Sequence, residues 1–155
     1  MDETHLAGLE LFSGFDPREL RVLAGAMRSH SFLPFEVVCR KGDRAAGCYF
    51  VIDGGIEVAV EGVDGREETV STFGRGELFG EVALIDGGLR SATCRATIAG
   101  AEVMSLGRAE FDQIFNAGNA FAYKLMDLIG DRVIERVRAA ADELYALARA
   151  SVVSL

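Results

Sequence analysis

The spacing of the glycines constrains this chain more than any other feature. Gly42, Gly54, Gly65, Gly76, Gly87 and Gly100 fall at intervals of 12, 11, 11, 11 and 13 residues. Each marks a point where the backbone can reverse or kink, and the runs between them are short and apolar. Turn signals at that pitch predict a mainly β middle, built as an antiparallel sandwich, roll or barrel. Residues 48–52 and 56–60 flank Asp53-Gly54-Gly55, which reads as a hairpin with positive-φ turn chemistry. Ile56, Val58 and Val60 alternate with Glu57 and Ala59, so one face of that strand is expected to be wet. Residues 101–106 read as the last strand. Ile52-Asp53-Gly54-Gly55 recurs as Ile85-Asp86-Gly87-Gly88, but the flanks differ, so these are two turns of like chemistry and not a repeat architecture.

The two ends follow a helical period instead. Leu20, Leu23, Ala24 and Met27 share a face, and Asp16-Pro17 supplies a cap and a first-turn proline. From Phe111 to about residue 150 the pattern is helical and free of proline. Met126, Ile129, Val133, Val137, Ala140, Leu144 and Leu147 step by 3, 4, 4, 3, 4 and 3, a heptad-like seam with one stutter. Such a stripe suits an intradomain core or a dimer seam. A helix of roughly 30 residues outruns a β-roll of this size, which favours pairing with a second copy.

Composition narrows the function classes. The chain has 155 residues, 50% hydrophobic and 26% charged, enough for one domain with a single core. Its net charge is −8 and its only lysines are Lys41 and Lys124, which argues against direct DNA binding. No apolar stretch reaches the roughly 18–20 residues of a membrane span, and the acidic start, Met1-Asp2-Glu3-Thr4, lacks signal-peptide layout. A cytoplasmic chain is expected, and the Ala/Gly/Arg bias suggests a bacterial source. Cys39, Cys48 and Cys94 form no C-x-x-C and read as buried thiols of a reducing compartment. With His5 and His30 as the only histidines, neither a metal-dependent oxygenase site nor a Ser/His/Asp or Cys/His constellation can be assembled. No enzyme activity, metal or cofactor is therefore expected.

The segment with chemistry is 74–96, GRGELFGEVALIDGGLRSATCRA. Residues 79–85 read as one short helical turn between strands, offering free N–H groups near Gly80 and Glu81 to an anion. Asp86-Gly87-Gly88 then turns the chain and returns Arg90 to the same place, where a planar guanidinium suits a pair of phosphate oxygens. Glu81 repels phosphate but accepts hydrogen bonds from a neutral donor such as a ribose hydroxyl. A lone Glu or Arg in a loop is ordinarily a solvated charge, and Asp86 is ordinarily a turn residue. Glu81 and Arg90 together around Gly80 specify a nucleotide whose phosphate lies close to its sugar. Gly74-Arg75-Gly76 is not a dinucleotide fingerprint, because the third glycine is misplaced and no parallel βαβ unit follows.

This segment resembles the phosphate-binding cassette of the cyclic nucleotide-binding domain family, roughly F-G-E-x-A-L, a variable turn, then P-R-x-A. The chain supplies Phe79-Gly80-Glu81-Val82-Ala83-Leu84 and Arg90-Ser91-Ala92. Leu11-Phe12-Ser13-Gly14-Phe15-Asp16 is similar to the family's helical entry, and Gly42-Asp43 with 49–55 to its early strands. The resemblance implies a jelly-roll-like antiparallel β-roll closed as a barrel. It sets a helical entry at 6–28, the roll at 29–110 with the cassette at 78–92, and C-terminal helices at 111–150, all as one domain.

It further implies that Glu81 accepts the ribose 2′-hydroxyl and that Arg90 pairs with an exocyclic phosphate oxygen. The N–H groups of Gly80, Val82, Ala83 and Ser91 complete the cradle, with Ala92 closing the motif. The ligand is cAMP or cGMP, with Arg132, Glu135 and Arg136 of the last helix as contacts that close over the base. Leu89 replaces the family's frequent proline. Ser91 stands where Thr goes with cGMP and Ala with cAMP, which leaves the base open. The implied role is a regulatory module signalling through its C-terminal helix to a protein effector or an attached output domain, as a homodimer. The alternatives are a dimerisation module that has lost its ligand and a cyclic di-GMP sensor.

Overall fold

The structure, a computed structural model, describes residues 3–82, 87–118 and 121–153. Helix α1 (Glu3–Ala7) and a 3-10 turn (Glu10–Phe12) lead into α2 (Pro17–Ala26). The sequence places Asp16 well. Its carboxylate accepts from Glu19 N–H at 2.8 Å while the Glu19 carboxylate accepts from Asp16 N–H at 3.0 Å, a reciprocal capping box ahead of Pro17.

Six antiparallel strands follow: β1 (Arg28–Phe32), β2 (Val37–Cys39), β3 (Gly47–Glu61), β4 (Glu67–Gly74), β5 (Leu78–Phe79) and β6 (Thr93–Gly107). The main path runs β1-β6-β3-β4, with β2 on β6 and β5 on β3. The antiparallel roll with flanking helices is as expected, but the barrel closure is not. Among the described residues the hydrogen-bonded path has two ends, and the sheet curls without closing on itself.

The curl comes from the glycines. All six carry positive φ. Residues 48–60, expected as a hairpin, form one continuous strand, and Asp53-Gly54-Gly55 is a kink within it. The β3–β6 register slips between Val51 and Asp53 and again between Gly54 and Ile56. A Cβ on Gly54 (φ +74°) would stand 2.2 Å from the Gly100 carbonyl oxygen. Gly100 (φ +72°) sits beside it on the partner strand, so the two long strands bend at one point. A D-G-G run specifies positive φ, and turn and bulge use it equally.

The alternation expected over 56–60 is broken for a similar reason. A register shift between Val58 and Ala59 buries Ala59 and turns Val60 outward, to 37% exposure.

Strand β3 also explains why 48–52 is apolar throughout: both its faces are buried. Cys48, Phe50 and Ile52 join the helices' Leu6, Phe12, Leu23 and Leu125, together with Leu78, Met104 and Leu106, in one core. Val51 faces the inside of the roll with Ile56, Phe79, Ala96 and Val103.

The C-terminal helical stretch is two helices, α3 (Arg108–Asn116) and α4 (Phe121–Val153). Gly118, at φ +72°, follows the first helix and breaks the run without a proline. Phe121, Ala122, Leu125 and Ile129 bury the start of α4 in the core. From Val137 onward every α4 side chain described is exposed, including Val137, Leu144 and Leu147. No described helix is long and apolar enough to cross a membrane.

Candidate functional site

Strand β5 builds the site. Leu78 pairs with Phe50 and Phe79 with Tyr49, so Leu78 enters the helical core and Phe79 the inside of the roll. Phe79 was expected in a helical turn, but its pairing with Tyr49 makes it strand. The chain leaves β5 through Gly80 at φ +75°, a conformation L side chains rarely adopt. A Cβ there would also lie 2.4 Å from Arg90 Nη1. Glycine at 80 therefore serves both the turn and the arginine.

Glu81 is next, in a turn, and it is the one buried charged residue among those described, at 3% exposure. Val82 is exposed beside it. Ala83 lies outside the described residues, as does Asp86.

Arg90 returns to this place as the sequence predicts. Its Nη2 donates to the Gly47 carbonyl at 2.8 Å and its Nη1 to the Gly80 carbonyl at 3.4 Å. The guanidinium stands 5.4 Å from the Tyr49 ring centre. Among the described residues no carboxylate pairs with it, so its charge is held by neutral acceptors and an aromatic face. Its backbone is clamped by a loop following β2. Arg90 N–H donates to the Asp43 carbonyl at 2.8 Å, and Gly42 N–H to the Arg90 carbonyl at 2.9 Å.

Gly80, Glu81, Val82, Arg90, Ser91 and Ala92 all line one cavity of about 390 Å³. Leu89, Cys39, Cys94 and Phe73 share its wall. Three rings extend from it as a stack: Tyr49 on Phe79 at 4.9 Å and Phe73 on Phe79 at 5.6 Å. Burial pushes the Tyr49 hydroxyl above its ordinary pKa, and it pushes the Cys48 thiol up to about 12, helped by the Glu81 charge.

Of the three α4 residues expected to close over a ligand, the structure brings only Arg136 to this cavity. It donates to the Glu81 carboxylate and to the Leu78 carbonyl, with its guanidinium 4.7 Å from the Phe73 ring centre. Arg132 and Glu135 instead pair with each other at 3.0 Å and line a wider hollow with Arg75 and Asp127. Arg132 sits one helical turn, about 6 Å, short of Arg136 along the axis.

Sequence reasoning missed the Gly47 carbonyl, the ring stack and the grip of the 40–45 loop. All three depend on strand pairing across dozens of residues. Only the separate apolar runs holding Tyr49 and Phe79 hinted at them.

Comparison with known proteins agrees with this architecture. The family model described as "Cyclic nucleotide-binding domain" matches residues 29–117, more than half of the chain. A cAMP-dependent protein kinase regulatory subunit of Emericella nidulans is 34% identical over 114 residues, covering 74% of this chain and 27% of that protein. The Cyclic AMP receptor protein of Thermus thermophilus is 28% identical over 130 residues, covering 84% of this chain and 60% of that protein. The chain thus spans less than two thirds of either relative. A crystal structure of a cyclic nucleotide-binding domain from Methylobacillus flagellatus superposes with a TM-score of 0.81 at 22% identity, covering 92% of this chain and 83% of that one, which establishes the shared fold. The chain belongs to the cyclic nucleotide-binding domain family.

Proposed function

We propose that this chain is a regulatory sensor of a cyclic mononucleotide, with cAMP as its ligand. The observation that carries the reading is the pairing of opposite charges around one small cavity. Glu81, buried, offers a carboxylate to a hydrogen-bond donor, and Arg90 offers a guanidinium that no described carboxylate neutralises. A ribose 2′-hydroxyl docks on Glu81 and an exocyclic phosphate oxygen on Arg90. The N–H groups of Gly80, Val82, Ala83 and Ser91 complete the phosphate cradle beside Ala92. At about 390 Å³ the cavity falls near the lower end of ligand pockets, about 300–1,000 Å³, which favours a mononucleotide over cyclic di-GMP.

The choice of cAMP rests on the relatives' names, both of which specify cAMP. Ser91 supports cGMP as a second reading, because it lines the cavity and its hydroxyl suits a guanine amino group.

Signalling runs through α4. Arg136 holds the carboxylate that the ribose requires, so ligand entry and the position of α4 are linked. The exposed stripe at Val137, Leu144 and Leu147 then joins a second copy or an effector, in the cytoplasm. Isothermal titration with cAMP, cGMP and cyclic di-GMP side by side tests the reading. Saturable heat with one mononucleotide supports it, and heat with none of the three overturns it.

A further inference from the structure

The geometry points to a redox-active dithiol, Cys39 and Cys94, in the wall of the cassette cavity, which hydrogen peroxide converts to a disulfide. The two cysteines are direct partners in the antiparallel β2–β6 pairing. Residues so paired lie roughly 4.5–5.5 Å apart at Cα, within the range of about 4.4–6.8 Å that a disulfide bridges. Their thiols are free and hydrogen-bonded to each other. Both are 8% exposed, and both line the cavity that holds Glu81 and Arg90. Cys39 also lines a second hollow, with His30, Arg44 and Arg108, so a small oxidant can reach it by two routes. Cys48 borders the second hollow but not the cassette cavity, and it is fully buried with no cysteine opposite it on the partner strand.

The surroundings divide the roles. The Cys94 thiol donates to Cys39 and the Arg90 charge lies near, holding the Cys39 thiol down to about 7. Cys94 is pushed up by its hydrogen bond to Cys39, then by burial and by the Cys39 charge. Cys39, the one of the pair that also lines the second hollow, is therefore the attacking sulfur. Its thiolate attacks one peroxide oxygen, the O–O bond breaks, and the departing hydroxide takes the proton Cys39 released, leaving a sulfenic acid and water. Cys94 Sγ then attacks Cys39 Sγ, the S–O bond breaks, and hydroxide leaves with the Cys94 proton as a second water. Two thiols and one peroxide become one disulfide and two waters, the sulfurs oxidised and the peroxide oxygens reduced.

The bond would fall at the root of the two segments that carry Arg90. Cys39 precedes the loop whose Gly42 and Asp43 grip the Arg90 backbone, and Cys94 follows Arg90 at the start of β6. Linking them fixes the spacing of those segments and so the reach of Arg90. This second limb rests on the nucleotide reading, whereas the dithiol does not.

The test treats the full chain with graded hydrogen peroxide, alkylates the remaining thiols, and maps peptides without reduction. The expected product has lost two hydrogen atoms, joins the Cys39 and Cys94 peptides, and keeps Cys48 as an alkylated thiol. Cys94→Ser should stop at the sulfenic acid of Cys39, trapped by a dimedone probe, and Cys39→Ser should leave Cys94 reduced. Should a variant fail to fold, the parent's peptide map still decides. Three intact thiols, or a bond to Cys48, would overturn the dithiol.

Titration of cAMP into the reduced and oxidised parent then tests the second limb. An affinity lowered by roughly 5-fold or more, the lower end of ordinary coupling between sites, supports it, and equal affinity overturns it. A reduced parent that takes up no cAMP counts against the nucleotide reading and leaves the dithiol standing.

Discussion

Arg136, midway along α4, donates to the carboxylate of Glu81 in the cassette. Burying a lone carboxylate is costly, and a cation from the helix offsets that cost by supplying hydrogen bonds and charge together. The contact also occupies the acceptor that a ribose hydroxyl would use. On the proposed function, one buried carboxylate would serve two donors in turn, and the helix would be tied to the choice.

If so, Arg136→Ala should raise cAMP affinity by about 5-fold or more, because the ligand no longer displaces a competitor. The same variant should unfold at lower urea concentration, since Glu81 is left without its partner. Titration calorimetry and urea denaturation check the two halves. Weaker cAMP binding with unchanged stability would mean that Arg136 serves the ligand and not the empty site.

Gly54→Ala should cost at least about 2 kcal/mol, from the positive φ and from a Cβ driven against the Gly100 carbonyl. Urea unfolding should show a lower midpoint at unchanged slope. An unchanged midpoint would remove the bend at Gly54 and Gly100 as the origin of the curl.

How much of this the sequence carries can be judged from those glycines. Their positive φ was legible at all six positions, because backbone freedom is a local property. Whether Gly54 made a turn or a kink was not, since that depends on which strand lies opposite. Asp16, Pro17 and Glu19 were likewise local, and the α2 cap follows from them. The break at Gly118 escaped because a helical period continues on both sides of it. Glu81 and Arg90, nine positions apart, line one cavity, and motif spacing records that. The arrival of Arg136, and not Arg132, depends on where α4 docks, which its core residues Leu125 and Ile129 decide.

Cys39 should be the first thiol alkylated by iodoacetamide. Its pKa near 7 makes the rate climb with pH through about 7, as the thiolate fraction grows, and level off above it. An ordinary thiol would still be climbing near pH 9. Cys48, pushed up to about 12 and fully buried, should react only after unfolding. Mass spectrometry of peptides alkylated across that pH range checks the order, and equal rates for all three would contradict it.

The exposed half of α4 should form a dimer seam. Ala140→Glu with Leu144→Glu places carboxylates on the apolar stripe and should convert a dimer to a monomer on sizing with light scattering. A parent that is already monomeric, or a double variant that stays dimeric, would remove the seam.

The most direct test of the central claim is isothermal titration of cAMP into the parent and into Arg90→Ala. The account predicts micromolar or tighter binding by the parent. It also predicts a loss on the order of 2–4 kcal/mol in the variant, because the ligand's phosphate is then buried without its guanidinium. Equal binding by both proteins would contradict the assignment of Arg90, and absence of binding by the parent would contradict the cyclic mononucleotide sensor itself.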